Sequence, residues 1–192
     1  MVSSFVLWIA AGVLLFWCVG AHNRLVRLRS AARQAFSLLD ARLLTQLALL
    51  QSYLPASMNA SLLTQPGELL DEVALLWVSL RSAAAQFAAS LAAARARPLE
   101  ARAIAALVAA SGVLDATWQR MQQAAQEPAG VLLPVTAQDQ WAQAVLHARA
   151  AGDTFNLAVT RYNAAIGQFP ALLLARAFGF KAARPLSIVD TE

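Results

Sequence analysis

The chain has 192 residues, of which 59% are hydrophobic and only 14% are charged, and its formal net charge is +4. This length suits one domain with its own core together with a membrane anchor, and would be stretched by two domains. The single cysteine, Cys18, excludes a disulfide framework and a thiolate metal site. The excess of alanine and leucine, with few glycines and prolines, predicts an all-α protein.

The first predicted element is an apolar helix. Residues 2–21 carry no charged side chain, and about 20 apolar residues are what a helix needs to cross ~30 Å of hydrocarbon. The other apolar runs, 43–54 and 103–114, are too short, so only one span is expected. A cleaved signal peptide is the alternative, because residues 19–21 would serve as a cleavage site. No Lys or Arg precedes the run, however, and the helical pattern continues past it, which favours a retained transmembrane anchor over residues 1–21.

Four amphipathic helices are predicted in the rest of the chain, from apolar residues spaced by three and four. Their expected bounds are about 22–54, 67–94, 98–126 and 135–169. The first is continuous with the anchor and is ended by Pro55, and Pro98 favours a turn over a kinked rod between the second and third. Helices with short links are typical of an antiparallel up-down-up-down four-helix bundle. Residues 170–192 are expected to form an apolar and basic, membrane-proximal C-terminal segment and tail.

The predicted bundle carries opposite charges at its two ends. The first helix outside the membrane and the fourth helix are each roughly 50 Å long, so the fourth helix and the turn between helices 2 and 3 should return to the membrane level. Ten of the 15 basic residues then form a membrane-proximal basic collar, namely Arg24, Arg27, Arg29, Arg33, Arg95, Arg97, Arg102, Arg176, Lys181 and Arg184. The acidic residues of the opposite end, called the far end below, are Glu68, Asp71, Glu72, Glu127 and Asp139.

The collar predicts a partner and an orientation. Basic residues at this place match anionic lipid headgroups, and the positive-inside rule puts the N-terminus outside and the bundle in the cytoplasm. No nucleic-acid-binding motif accompanies the arginines, so a nucleic acid is not an expected partner.

Two further sets of residues are singled out near the membrane. An apolar segment too short to span a membrane predicts either a cap over the core or an interfacial foot, whose residues are Phe169, Leu172, Leu173, Leu174, Phe178 and Phe180. Length matching also brings two polar pairs to a similar height, so they form either an inter-helix polar layer or separately solvated groups. The residues of this layer are Asn23, Arg24, Tyr162 and Asn163.

Both ends of the bundle carry sequence signatures. The juxtamembrane one comprises His22, Asn23, Arg24, Leu25, Val26, Arg27, Leu28 and Arg29, followed by Ala35, Phe36, Ser37 and Asp40. The C-terminal one comprises Phe155, Asn156, Ala158, Val159, Arg161, Tyr162, Asn163, Ile166, Phe169 and Pro170, followed by Ala177, Phe178, Gly179 and Phe180. Together they cover about a third of the chain and resemble the signatures of the LemA family.

The resemblance implies a bacterial, single-pass membrane protein with a long-helix bundle facing the cytoplasm and no established activity. The chain departs from the family pattern in three places: His22 stands where an aromatic residue is usual, 43–50 replaces a charged stretch, and 185–192 replaces an acidic-aromatic end. These departures indicate a divergent member whose partner surface differs.

The sequence carries no signature of catalysis. It has no phosphate-binding glycine loop, zinc-type histidine spacing or nucleophile elbow, so no enzyme activity, catalytic residue, metal or cofactor is expected. Asp40, Asp115 and Asp153 are either inward-facing acids or surface residues, and His147 is expected to be a surface or core-edge residue and not a ligand. The expected function is a membrane-anchored scaffold or adaptor for unidentified protein partners. The alternative is a lipid-binding or membrane-organising protein acting through the collar and the foot, and homo-oligomerisation is left open.

Overall fold

The computed structural model describes residues 2–54, 72–126, 133–134, 136–169 and 171–186. Within these ranges the chain forms α-helices and no β-strand, which confirms the all-α class. The predicted loop at 55–66, the expected first residues of helix 2 and the tail at 187–192 lie outside the described residues. The helices are α1 (Val2–Tyr53), α2 (Glu72–Ala96), α3 (Ala101–Ala124), α4 (Ala137–Gly167) and the short α5 (Ala171–Ala177).

The first helix is a single rod. α1 has 52 residues and is about 78 Å long. Its last residue, Tyr53, comes two positions before Pro55 in the sequence, and a proline cannot continue the hydrogen-bonding pattern of a helix. Its buried apolar residues follow the predicted spacing of three and four, and they are Leu25, Ala32, Ala35, Phe36, Leu39, Leu43, Leu47 and Leu50.

The long helices pack in two close pairs that share one core. α1 runs along α4 and α2 runs along α3, whereas α1 and α2 contact each other over a shorter stretch. Phe36 of α1 meets Phe155 of α4 edge to face, with 5.6 Å between the ring centroids. Phe87 of α2 and Leu114 of α3 belong to the same continuous cluster of buried apolar side chains. Burial of apolar surface between the pairs therefore holds them together.

A turn separates α2 from α3, as the sequence favoured over a kinked rod. The amide of Arg97 donates to the carbonyls of Ala93 and Ala94, and the amide of Glu100 donates to the carbonyl of Arg97 at 3.0 Å. Pro98, inside this turn, has no amide hydrogen and so could not extend α2 without loss of a hydrogen bond.

Aromatic side chains join three helices at the far end of the molecule. Trp118 of α3 stacks on Trp141 of α4 with 4.7 Å between ring centroids, and its other neighbour is Tyr53, the last residue of α1, at 6.2 Å. The Tyr53 hydroxyl also donates to the side-chain oxygen of Gln140. These contacts fix the end of α1 against the start of α4.

Two of the described helices are long and apolar enough to cross a membrane, Ala74–Ala96 in α2 and Ala101–Ala124 in α3. The expectation that residues 2–21 alone have this property is wrong, because each of these alanine-rich helices reaches a mean hydropathy of 1.2 without one continuous apolar run. About a third of each of these two windows is buried inside the protein. Core helices of soluble domains have the same length and composition, so this is weak support for membrane association.

Candidate functional site

The end of α4 lies beside Arg24, the first basic residue of α1. Arg24 donates from Nη1 to the Oε1 atom of Gln168 at 3.5 Å. About two turns earlier on α1, the Trp17 ring lies 6.2 Å from that of Phe169. The residues that follow α4 are therefore level with residues 17–24, as the comparison of helix lengths predicts.

Apolar side chains project from this end of the molecule. Phe169 is 76% exposed, Phe178 is 62% exposed and Leu173 is 57% exposed, while Trp17 beside them is 47% exposed. Large apolar groups exposed together are unusual on a soluble surface and mark contacts with lipid or protein. Three of the six predicted foot residues thus have the exposure that an interfacial foot requires.

The other part of the segment covers the core. Ala175 of α5 is buried against Leu25 of α1 and Ala165 of α4. Phe180 is half-buried, with the His22 ring 5.8 Å away and the guanidinium of Arg29 5.6 Å from its centroid. Leu172 and Leu174 are half-buried as well. One side of the segment thus packs on α1 and on the end of α4, where a cap would lie, and the other side is exposed, while its place in a membrane interface stays a prediction.

His22 occupies the environment of an aromatic residue. Its ring lies 4.8 Å from Phe178 and 5.8 Å from Phe180, and its Nδ1 atom is buried without a hydrogen-bond partner. An imidazole here packs as a flat ring and leaves one nitrogen unsatisfied. This geometry would suit an aromatic side chain as well as an imidazole.

Part of the predicted collar converges on one crevice. Arg29 and Arg33 of α1, Arg97 of the α2–α3 turn and Lys181 line an opening of about 480 Å³. Arg97 also forms an ion pair with Glu100, at 3.1 Å between Nη1 and Oε2. The crevice is therefore rich in positive charge, although one of its cations is partly compensated.

The collar is not at one level, which corrects the sequence prediction. The α2–α3 turn lies beside Arg29 and Arg33, which follow Ala21 by eight and twelve residues, or roughly 12–18 Å along a helix. α2 has 25 residues and is roughly 38 Å long, shorter than the ~48 Å of residues 22–53, so the turn stops short of the predicted membrane boundary.

Arg95 is the clearest exception to the collar. Its guanidinium makes a bidentate contact with Asp40, at 2.9 Å between Nη2 and Oδ1 and 3.0 Å between Nε and Oδ2. Asp40 follows Ala21 by nineteen residues, roughly 29 Å along α1. At physiological salt, charges farther apart than about 8 Å are largely screened, so Arg95 acts with Asp40 between α1 and α2 and lies apart from Arg24 and Arg27.

The predicted polar layer is replaced by other contacts. Tyr162 is buried, which raises the pKa of its hydroxyl, while the positive charges of Arg29 and Arg33 act in the opposite direction. Asn163 turns to the C-terminal chain and Arg24 turns to Gln168. Asn23 is exposed. The four residues lie at one end of α1 and α4 without the predicted bonds between Asn23 or Arg24 and Asn163.

Residues 180–186, which we call the C-terminal strap, lie along α4 and have neither helix nor strand structure. The side-chain amide of Asn163 donates to the Ala183 carbonyl at 2.7 Å and accepts from the Ala183 amide at 2.9 Å. Asn156 forms the same pair with Leu186, at 2.8 Å and 2.7 Å. The strap therefore runs antiparallel to α4, held at two points by paired hydrogen bonds.

The spacing of these two pairs implies an extended backbone. Asn156 and Asn163 are seven residues apart, which is about 10.5 Å along a helix. Three residues of the strap cover that distance, and an extended or polyproline chain rises about 3.1–3.4 Å per residue. Arg184 and Pro185 favour this form, because proline fixes its own φ and restricts the preceding residue to extended conformations.

Sequence reasoning missed the strap. The separation of the two asparagines by two helical turns, beside the buried residues Phe155 and Tyr162, and the single proline near the end of the chain were the available signals. Neither signal identifies the partner of an asparagine, because the hydrogen bonds join residues that are 20 and 30 positions apart.

A second opening lies between α3 and α4, with a volume of about 440 Å³. Asp115, Arg149, Trp118 and Trp141 are among its lining residues. Burial raises the pKa of the Asp115 carboxyl, and the positive charge of Arg149 acts in the opposite direction. Of the residues singled out in the sequence, Asp115 and Asp40 are thus the half-buried acids, whereas Asp153 and His147 are exposed.

Comparisons of the chain with models of protein families, with curated proteins and with solved structures find no match. The likeness to LemA therefore rests on the two sequence signatures alone. The geometry of the described residues is the remaining guide to function.

Proposed function

We propose that this chain is a membrane-anchored, non-catalytic helical scaffold or adaptor of the LemA type. In this proposal residues 1–21 cross the inner membrane of a bacterium once, with the N-terminus outside, and α1 to α4 form an up-down-up-down bundle in the cytoplasm. The bundle binds protein partners beyond the membrane-proximal end. Anionic lipid headgroups are the second partner, at the arginines of α1 nearest the membrane.

One observation carries the proposal, namely the change of surface along the single helix α1. Between residues 13 and 19 its large apolar side chains are about half exposed or more, as with Phe16 at 83%. From Leu25 onward the same helix buries one apolar seam against α4 and α2. A rod with apolar groups exposed around its first part and one buried seam in its second part fits a helix that leaves a membrane and enters a folded domain.

Features in the rest of the described chain support the proposed scaffold role. Its long helices give extended surfaces, and isolated apolar residues such as Leu146 and Leu157 are exposed on α4. Protein partners fit such surfaces better than a small substrate does, since the described openings bring together few groups capable of chemistry.

Proximity labelling in cells tests the proposal. A biotin ligase fused to the C-terminus should label a stable set of proteins, and reversing the charges of Glu72 and Asp139 at the far end should change that set. Asp153→Lys is the matched control, because this acid is exposed like Asp139 but lies in the middle of α4. Labelling of bulk membrane proteins alone, unchanged by the far-end variant, would contradict the scaffold role.

The second candidate function is lipid binding or membrane organisation, favoured by the exposed foot residues Phe169, Leu173 and Phe178. A spin label at Leu173→Cys, in a Cys18→Ser chain reconstituted in anionic bilayers, should be more accessible to oxygen than to a water-soluble nickel complex. Val113→Cys on α3 is the control and should show the opposite accessibility. Water-like accessibility at both positions would exclude a foot in the bilayer.

A further inference from the structure

The groove that holds the C-terminal strap has the chemistry of a peptide-binding site. The side chains of Asn156 and Asn163 donate two hydrogen bonds to carbonyls of the strap and accept two from its amides, so all four involve backbone groups of the strap. Every peptide carries these groups, so the two asparagines recognise an extended chain and not a particular side chain.

Selectivity comes from two buried side chains of the strap at a fixed distance. These are Ala183 and Leu186, which we call the first and second anchors, and Arg184 and Pro185 between them are exposed. The paired bonds use the amides of the two anchors, so a proline immediately before the second anchor removes no hydrogen bond. The groove therefore fits the pattern small residue, any residue, proline, aliphatic residue.

The pocket that holds the Leu186 side chain, which we call the seat of the second anchor, is larger than that side chain. A cavity of about 60 Å³ adjoins Leu186, and residues of all four long helices line it, including Leu39, Phe87, Leu114 and Ala148. One water molecule occupies about 30 Å³ in the liquid, so the remaining space admits a longer apolar side chain. The seat is thus not matched to its own leucine alone.

The strap is attached to the groove through a defined turn. α5 ends with the amide of Phe180 bonded to the carbonyl of Ala175 at 2.8 Å, and Gly179 lies between them at φ 69°. This is the glycine-dependent arrangement that commonly ends a helix, and it directs the chain toward α4. A segment tethered so closely competes with any free peptide at a millimolar effective concentration.

We propose that this groove is a binding site for an extended, proline-containing segment of a partner protein, which takes the place of the C-terminal strap. The strap is then an internal competitor that keeps the groove covered until a segment with a better second anchor arrives. This proposal deepens the scaffold function and rests on it for the existence of a partner, but peptide binding itself is measured without one.

The experiment uses the full chain in nanodiscs and a fluorescent peptide with the sequence of residues 180–186. A strap variant, Ala183→Glu with Leu186→Asp, uncovers the groove without changing its walls. The peptide should bind this variant at least tenfold more tightly than it binds the wild-type chain. Adding Asn163→Ala should weaken binding about thirtyfold, because two hydrogen bonds are lost. Asn23→Ala, at an exposed asparagine away from the groove, should leave binding unchanged.

A modified peptide tests the same contacts without altering the protein. Methylation of the amide nitrogen that corresponds to Leu186 removes the donor to Asn156 and should also weaken binding about tenfold, whereas methionine at that position should strengthen it. Equal binding of the methylated peptide, or no binding to a strap variant whose circular dichroism matches wild type, would overturn the proposal. Dimers of the wild-type chain that the strap variant loses, without peptide binding, would assign the groove to a second copy and overturn it too. If the peptide binds as expected while proximity labelling finds no partner, the proposed scaffold function is wrong, whereas the assignment of the groove as a peptide-binding site is supported.

Discussion

The side-chain amide of Asn163 forms two hydrogen bonds with the backbone of Ala183, donating to its carbonyl at 2.7 Å and accepting from its amide at 2.9 Å. Together with the equivalent pair between Asn156 and Leu186, this contact joins the end of the described chain to the middle of α4. The strap is therefore part of the folded domain and closes the core between the helix pairs.

Asn163→Ala should release the first half of the strap. It removes two partly buried hydrogen bonds, each worth about 1 kcal/mol, so we expect the free energy of unfolding to fall by about 2 kcal/mol. Hydrogen exchange should show loss of protection at the Ala183 amide, and Asn23→Ala should leave it intact. Unchanged protection at Ala183 would mean that the amide pair does not hold the strap.

Phe155→Ala should be among the most destabilising single changes in the domain. This side chain is fully buried between α1 and α4, and its removal leaves a cavity and ends the edge-to-face contact with Phe36. Such truncations cost about 3–5 kcal/mol. Thermal or denaturant unfolding measures the loss, and Leu157→Ala, at a half-exposed site on the same helix, should cost less than about 1 kcal/mol.

Asp115→Asn should stabilise the protein at neutral pH. Burial raises the pKa of Asp115 in the folded state above its ordinary value of 3.8, so between these two pKa values the folded state binds more protons than the unfolded state. The contribution of the Asp115 protonation equilibrium to the free energy of unfolding is therefore greatest below pH 3.8, and it is lost as the pH rises through the folded-state pKa. The melting temperature of the variant should exceed that of wild type at pH 7, and the two should converge as the pH falls. A less stable variant at pH 7 would indicate that attraction to Arg149 outweighs burial.

The position of each arginine along α1 and the α2–α3 turn should decide its effect on lipid selectivity. Reversing Arg24 and Arg27 to Glu should reduce the preference of the reconstituted chain for anionic lipid, as measured with spin-labelled lipids. Reversing Arg97 and Arg102 should have little effect, because the turn lies roughly 12 Å or more beyond Ala21 and the Debye length is about 8 Å. Equal losses in both variants would restore the single collar expected from sequence.

The helical pattern was readable because it is local. Spacings of three and four place Leu25, Leu39 and Leu50 on one face of α1 whatever that face meets, and the same holds for the other helices. Matching helix lengths also placed Phe169 level with residues 17–24 of α1. The relative levels of the shorter helices depend on packing between residues distant in sequence, and so the pairing of Arg95 with Asp40 was not predictable.

The strap lay beyond such reasoning for a different physical reason. An asparagine on a helix can bond to solvent, to a neighbouring turn or to another segment, and its sequence surroundings do not distinguish these partners. Only the folded arrangement brings Asn156 and Leu186 together across 30 positions. The sequence presents Asp115 as either an inward-facing acid or a surface residue. That it lines an opening between α3 and α4 depends on how these helices pack, which the sequence does not show.

The central claim, that α2 and α3 belong to a domain in the cytoplasm and not to the membrane, is tested most directly by cysteine labelling at Gly112. This residue is exposed near the middle of Ala101–Ala124, and a side chain there meets no atom within 4 Å. In a Cys18→Ser chain, Gly112→Cys should resist a membrane-impermeant maleimide in intact spheroplasts and react fully in inside-out vesicles without detergent. Labelling in intact spheroplasts would place the domain outside, and labelling only after the bilayer is dissolved would place α3 within the membrane; either result would contradict the account.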